Sequence, residues 1–392
     1  MSQPERGPSC DPAVPWAPST MPAFRSGPPY LMAEAIEREP DVVEAIVRAS
    51  RNAAGALADM LRAAAGSGWP PVIVGCGTSE HAARAAAAIW QEAWRSAGLP
   101  GPGPLARQAF EAAHDPWAGA TVGISHEGGS QATVDALRAA ARAGARTGII
   151  TAGANSPGAD AADITLCTGQ LDLSWCHTIG YVSPLAAAVV IANRLSRRDS
   201  HAAAVRAPLD AGLARRDAAH ALGRALTSSS TLVVTASGAD RAAGRELALK
   251  IEEAAYVPTA YRDLETMLHG HIPALDASTG LVLILADPRD LGERSARARQ
   301  MLAAVARVGV RSGAILVAAA DPGIAGGLTP AGRVVIPDPV ALAPAAGALL
   351  ATAVPLQLAT YGLALARGTN PDVLRRESSA YRAAADVADS PQ

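Results

Sequence analysis

Short uninterrupted apolar runs alternate with amphipathic stretches along most of this chain. "PPVIVGCGTSEHAARAAAAIWQEAW" reads as a buried strand, a glycine turn and a helix, and "ATVGISHEGGSQATVDALRAAARAG" repeats the design. "RTGIITAG" and "DITLCTG" add strands, and the helical "SPLAAAVVIANRL" closes a unit near residue 200. The series then restarts with "STLVVTASGADRAAGRELALKIEEA". "GLVLILAD", "GAILVAAA" and "RVVIPD" follow as strands, with "RSARARQMLAAVARVG" and "AAGALLATAVPLQLATYGLALARG" as helices. Strands apolar on both faces that alternate with helices predict α/β units whose parallel sheets are covered on both sides. The pattern sets a Pro-, Ser- and Gly-rich tail, expected to be disordered, over residues 1–28. A first unit over 29–205 opens on the helical "YLMAEAIEREPDVVEAIVRAS", and a second covers 206–392, an internal duplication of roughly 180 residues.

Composition changes this picture little. A length of 392 residues, 49% hydrophobic and 18% charged, is ample for two globular cores. A net charge of -2 provides no field for nucleic acid or an acidic membrane surface, so neither is expected as a partner and any anion site must be local. Cys10, Cys76, Cys167 and Cys176 lack the spacing of metal ligands or of a disulfide framework, which fits a reducing cytoplasm. The first residues have no apolar core of a secretory signal, and the longest apolar stretches read as buried helices too short to span a bilayer.

In open parallel sheets ligands bind beyond the C-terminal strand ends, so the turns after the strands are where chemistry is expected. Turn one, Gly75 to His81, offers Gly77, Thr78 and Ser79. Turn two, Ser125 to Thr133, offers Ser125, His126, Glu127, Gly128, Ser130 and Thr133. Glycines followed by hydroxyl residues at a helix start can wrap an oxyanion. Ordinary capping by Ser79, Ser130 or Thr133 explains either turn alone, whereas two such turns on neighbouring strands point to a site. Neither is GxGxxG or a Walker motif, so nucleotides are not indicated; no cofactor is expected, and a metal at His269 and His271 would need further ligands that the sequence does not offer. Glu127 is out of place, because its charge repels a dianion.

Lys250 is the only lysine among 34 basic residues. On a helix, Glu246, Lys250 and Glu253 share one stripe opposite Leu247, Ile251 and Ala254. Periodicity alone reads that stripe as a solvated face with an i,i+4 pair. An exposed pair works equally well with arginine, so the lysine points to a place needing a compact charge. His269 and His271 follow on a loop, and a helical Glu with a nearby His is the usual pair for moving protons in sugars.

"VIVGCGTSEHAA", "ISHEGGSQATVDALRAA", "RELALKIEEAAY" followed by "LHG", and "VPLQLATYGLALARGTNPD" resemble the paired sugar isomerase (SIS) domains. The likeness runs from about residue 30 to 380 and is strongest to the isomerase half of glucosamine-6-phosphate synthase and to related deglycases and amino-sugar deaminases. It implies two tandem flavodoxin-like αβα domains, a homodimer with shared active sites, and a sugar or sugar phosphate held in the first domain's turns. It implies Ser79 as a phosphate-binding serine and places Ser125, His126, Glu127 and Ser130 on the family's "SQSGET". Glu253 matches the glutamate that moves a proton between C1 and C2, and Glu246 and Lys250 match pocket-lining residues. His269, 16 residues on, has the spacing of the ring-opening histidine, often contributed by the neighbouring subunit.

Three departures from the family matter. A glutaminase domain is not expected ahead of the first unit, Glu127 and Gly129 replace a Ser and a Glu of the phosphate loop, and Ser379 stands where the synthase has an imine-forming lysine. The expected activity is therefore aldose–ketose isomerisation or loss of an amine, without glutamine hydrolysis. The alternative is a non-catalytic sugar-phosphate sensor that binds a partner protein.

Overall fold

Both α/β units form around five-stranded parallel sheets in the computed structural model, which describes residues 10–11, 14–199 and 201–388. The first contains α1 (Leu31–Ala49), α2 (Arg51–Ala64), β1 (Val72–Gly75), α3 (Thr78–Ser96), β2 (Leu105–Gln108), α4 (Ala109–His114) and β3 (Ala120–Ile124). It continues with α5 (Gln131–Arg142), β4 (Arg146–Thr151), α6 (Pro157–Asp160), β5 (Ile164–Cys167) and α7 (Ile179–Leu195). The second contains α8 (Ala202–Leu213), α9 (Arg216–Ala225), β6 (Thr231–Ala236), α10 (Asp240–Ala255), β7 (Thr259–Asp263), α11 (Leu264–Met267) and β8 (Thr279–Leu285). Then follow α12 (Leu291–Ala306), β9 (Arg311–Val317), β10 (Arg333–Ile336), α13 (Pro344–Arg367) and α14 (Ser379–Ala388).

The sheet orders are β2-β1-β3-β4-β5 and β7-β6-β8-β9-β10, the same doubly wound topology twice. Val72 of β1 lies between Leu105 and Thr121, and Val233 of β6 between Ala260 and Leu281. The central strands are buried along their length, which is why they read as continuous apolar runs. β2 ("LARQ") and β7 ("TAYRD") are half-buried edge strands with polar residues, so apolar patterning alone reveals them poorly.

Helices α7 and α13 are apolar on every side because they are enclosed on every side. α13 packs against α9 and α10, and α3 packs against α7. By length and composition α13 passes as a membrane span, contrary to the expectation that every apolar stretch is too short, but 94% of its apolar window is buried inside the protein. Helices α3 and α10 contact each other directly and join the two units.

Two expectations differ from the structure at the N-terminus. Residues 14–28, expected within a disordered tail, carry specific contacts: Asn155 Nδ2 donates to the Val14 carbonyl at 2.9 Å, and Arg25 to that of Pro29 at 2.8 Å. Residues 1–9, 12 and 13 of that stretch lie outside the described residues. The cysteine spacing also hid a pairing, because Cys10 and Cys167 form a disulfide while Cys76 and Cys176 are free. Partners 157 residues apart are brought together only by tertiary folding.

Candidate active site

Turn one begins where β1 ends. A side chain on Gly75 would sit 2.5 Å from the Ser79 backbone, so the strand can run directly into α3 only with glycine there. Gly77, at φ 56°, turns the chain so that Thr78 and His81, one turn apart on α3, face α10. There the Thr78 hydroxyl donates to Glu246 Oε1 at 3.2 Å, and His81 Nδ1 lies 2.8 Å from Glu246 Oε2. A carboxylate only accepts, so Nδ1 is the protonated ring nitrogen.

The stripe that periodicity assigns to solvent is the interior of this junction. Glu246 and Lys250 are fully buried, and Glu253 is about one-fifth exposed. Lys250 Nζ lies 2.5 Å from Glu253 Oε2 and 3.7 Å from Glu246 Oε1. Burial works to lower the Lys250 pKa, but the negative charges around it, Glu253 foremost, prevail and hold it above its ordinary value. Burial raises Glu253 above the ordinary carboxylate range, and the Lys250 charge opposes that rise. Cys176, fully buried beside the pair, is pushed up by burial and is a poor nucleophile there. The arrangement is a desolvated cation flanked by two carboxylates, one of which reaches the surface. That geometry suits a carboxylate passing a proton while a fixed positive charge stabilises a developing oxyanion.

Turn two is organised differently from expectation. Ser125 Oγ accepts from Gly128 N at 3.2 Å and lies 3.3 Å from Ser130 Oγ, so these hydroxyls brace the loop on itself. Gly128 has φ 80°, and a side chain there would meet Ser156 Oγ at 2.0 Å. His126 is turned inward, where its Nε2 accepts from the Asp172 backbone N–H at 2.9 Å and its ring contacts His177. Asp172 also accepts from the backbone N–H groups of Thr178, Ile179 and Gly180, capping α7. Burial, with His126 close by, pushes His177 down to about 3. Thr133 is fully buried in the first turn of α5. His126 and Thr133 thus belong to the framework and not to an open ligand surface.

The N-terminal segment lies over this loop. Trp16 Nε1 donates to the Glu127 carbonyl at 2.8 Å, Ser19 N donates to Glu127 Oε2 at 3.1 Å, and a side chain on Gly129 would meet the Trp16 ring at 2.5 Å. Glu127 therefore turns its charge toward a backbone donor of the segment.

Of the expected catalytic residues, Glu246, Lys250 and Glu253 meet, together with Thr78. His269 stands apart: its ring is 69% exposed and lies 2.7 Å from Glu265, which Arg297 also binds. His271 Nδ1 accepts from Arg262. Sequence reasoning passed over His81, Asp172 and Cys176. His81 lies within turn one at helical spacing from Thr78, a usable signal, whereas Asp172 and Cys176 lie in irregular chain without pattern. Among the described residues, no cluster of three or more His, Cys, Asp or Glu is placed to hold a metal ion.

No protein-family model matches the chain, and no curated protein matches it in sequence. Solved structures do. The C-terminal domain of glucosamine-fructose-6-phosphate aminotransferase from Francisella tularensis superposes with a TM-score of 0.75 at 18% identity, covering 89% of this chain and 99% of that one. Tagatose-6-phosphate ketose/aldose isomerase from Escherichia coli gives 0.70 at 17% identity, with coverages of 90% and 97%. Glucosamine-6-phosphate deaminase from Thermotoga maritima gives 0.66 at 15% identity, with coverages of 87% and 96%. Identities this low establish shared architecture: the chain has the fold of the tandem SIS-domain proteins.

Proposed function

We propose that this protein is a sugar-phosphate isomerase or amino-sugar deaminase that moves a proton between C1 and C2 of an open-chain substrate. The observation that carries the reading is the buried Glu246–Lys250–Glu253 cluster, set against turn one at the C-terminal edge of the first sheet. Glu253 is the proton carrier, because it alone of the three reaches the surface, and burial raises its pKa above the ordinary carboxylate range. Lys250 stabilises the enediolate or enamine oxygen, and Glu246, held by Thr78 and His81, fixes the lysine. The fold neighbours support the substrate class, since their names specify isomerisation or deamination of sugar phosphates. A homodimer accommodates the remote His269, which then serves the partner subunit's site.

The test is deuterium wash-in at C1 and C2, followed by proton NMR, for hexose 6-phosphates and 2-amino-2-deoxyhexose 6-phosphates. Wild type exchanges one of them, and Glu253→Gln slows exchange by at least about 100-fold. Exchange that survives Glu253→Gln within a few fold defeats the mechanism. The second reading, a non-catalytic sensor, is favoured by the exposure of His269, which pairs with Glu265, and by the segment covering turn two. It predicts binding without exchange, indifferent to Glu253→Gln.

A further inference from the structure

The duplication places a counterpart of turn one in the second unit. Gly77 and Gly238, at φ 56° and 64°, are 161 residues apart, closer than the roughly 180 suggested by sequence. At that offset the buried and half-buried positions of residues 82–90 recur one for one at 243–251. Thr78 and His81 then correspond to Ala239 and Ala242, and Glu246, Lys250 and Glu253 to Ala85, Ile89 and Glu92. The proton-moving cluster thus has no equivalent on α3.

A cavity of about 310 Å³ opens at this counterpart, between α3 and the start of α10. Ala239 and Ala242 line it, together with Arg84, Arg95, Arg241, Arg245 and Arg289, and no carboxylate is among its lining residues. Three of the arginines are held from behind by acids outside the wall: Arg84 by Glu80, Arg241 by Asp263 and Arg289 by Asp287. Arg245 lies over the Tyr261 ring, and neither it nor Arg95 has a carboxylate partner among the described residues. One backbone donor of the turn is already engaged. Asp287 accepts from Ala239 N at 2.8 Å, and Asp240 accepts from Ala286 N and Asp287 N. The guanidinium groups that line the cavity have planar forks that match phosphate oxygens.

We infer that this cavity is a second, non-catalytic site for a phosphate monoester of sugar-phosphate size. Three of the five arginines are offset by those acids, but Arg95 and Arg245 bring further positive charge to the same cavity without an ion pair among the described residues, and an anion between them relieves the repulsion. The volume suits one small phosphorylated molecule. The inference is independent of the proposed reaction, since it uses none of the cluster residues.

The test is calorimetric titration of the full chain with inorganic phosphate, ribose 5-phosphate and AMP, which separates free phosphate from a sugar or nucleoside ester. At least one probe binds wild type with a Kd below about 1 mM. Arg95→Ala/Arg245→Ala weakens it at least about tenfold, whereas Arg142→Ala/Arg307→Ala, at exposed arginines outside the cavity, leaves it unchanged. Arg95 and Arg245 lie on helices where alanine is a better helix former, and the thermal midpoint of the unliganded variant confirms folding. Arg95→Glu alone, at an exposed position, provides the same readout should the double variant fail to fold. No binding of any probe to wild type at about 10 mM, or equal binding to the Arg95 and Arg245 variants, overturns the inference.

Discussion

Replacing Lys250 by Met tests whether the buried cluster is a matched set of charges. Met fills nearly the same volume without a charge, so steric change alone costs under about 1.5 kcal/mol. The electrostatic part is larger, because Lys250 is wholly buried and two carboxylates depend on it. Removing one partner of a buried pair costs about 3–5 kcal/mol when the remaining charge persists. The protein can relieve that cost by protonating a carboxylate. Glu253 already has a raised folded-state pKa, and loss of the cation raises it further. A carboxyl group whose pKa is raised on folding destabilises above its unfolded pKa, and the penalty vanishes as pH falls below it. The Lys250→Met deficit should therefore be near the full 3–5 kcal/mol at about pH 8 and shrink toward the steric remainder as pH approaches about 4.5. The assay is urea unfolding of both proteins across that range, followed by tryptophan fluorescence and circular dichroism. A deficit equal at both ends of the range, or a variant as stable as wild type at pH 8, refutes the matched cluster.

Lys250→Arg keeps the charge but forces a bulkier planar group into a filled site. It should destabilise by about 1–3 kcal/mol and, by displacing the charge about 1 Å, cut any exchange activity roughly 100-fold; wild-type exchange in that variant removes the reason for a lone lysine. Gly128→Ala sets a methyl group against Ser156 Oγ at φ 80°, so it should cost at least about 2 kcal/mol in chemical denaturation, and a change within about 0.5 kcal/mol contradicts the loop geometry. Thiol titration of the unfolded, unreduced chain should find two reactive groups, Cys76 and Cys176, and four after reduction. Four before reduction excludes the Cys10–Cys167 bond. Trp16→Ala uncovers the face of turn two, so KM for a phosphorylated substrate should fall several-fold, whereas an unchanged KM means that the segment does not compete with substrate.

The duplicated α/β plan was legible in sequence because its central strands and its helices α7 and α13 are enclosed on all sides, and enclosure demands uninterrupted apolar residues. The turns were legible too, since Gly75 and Gly128 leave no room for a side chain and Gly77 has a left-handed φ that favours glycine. Position relative to the other unit was not. Taken alone, α10 has a polar stripe at the spacing of a solvated face. Only its packing against α3 puts Glu246 and Lys250 in the interior, where Thr78 and His81 of α3 bind Glu246 and the flanking carboxylates bind Lys250. His126 reads as a ligand residue in its motif, yet the Asp172 loop, without any periodic signal, turns it inward. The Cys10–Cys167 bond and the Trp16 contact join segments more than a hundred residues apart. Local sequence determined the elements, through steric limits on backbone and the cost of exposing apolar surface. The tertiary structure decided which polar groups lost their water, because desolvation depends on what the rest of the chain brings alongside.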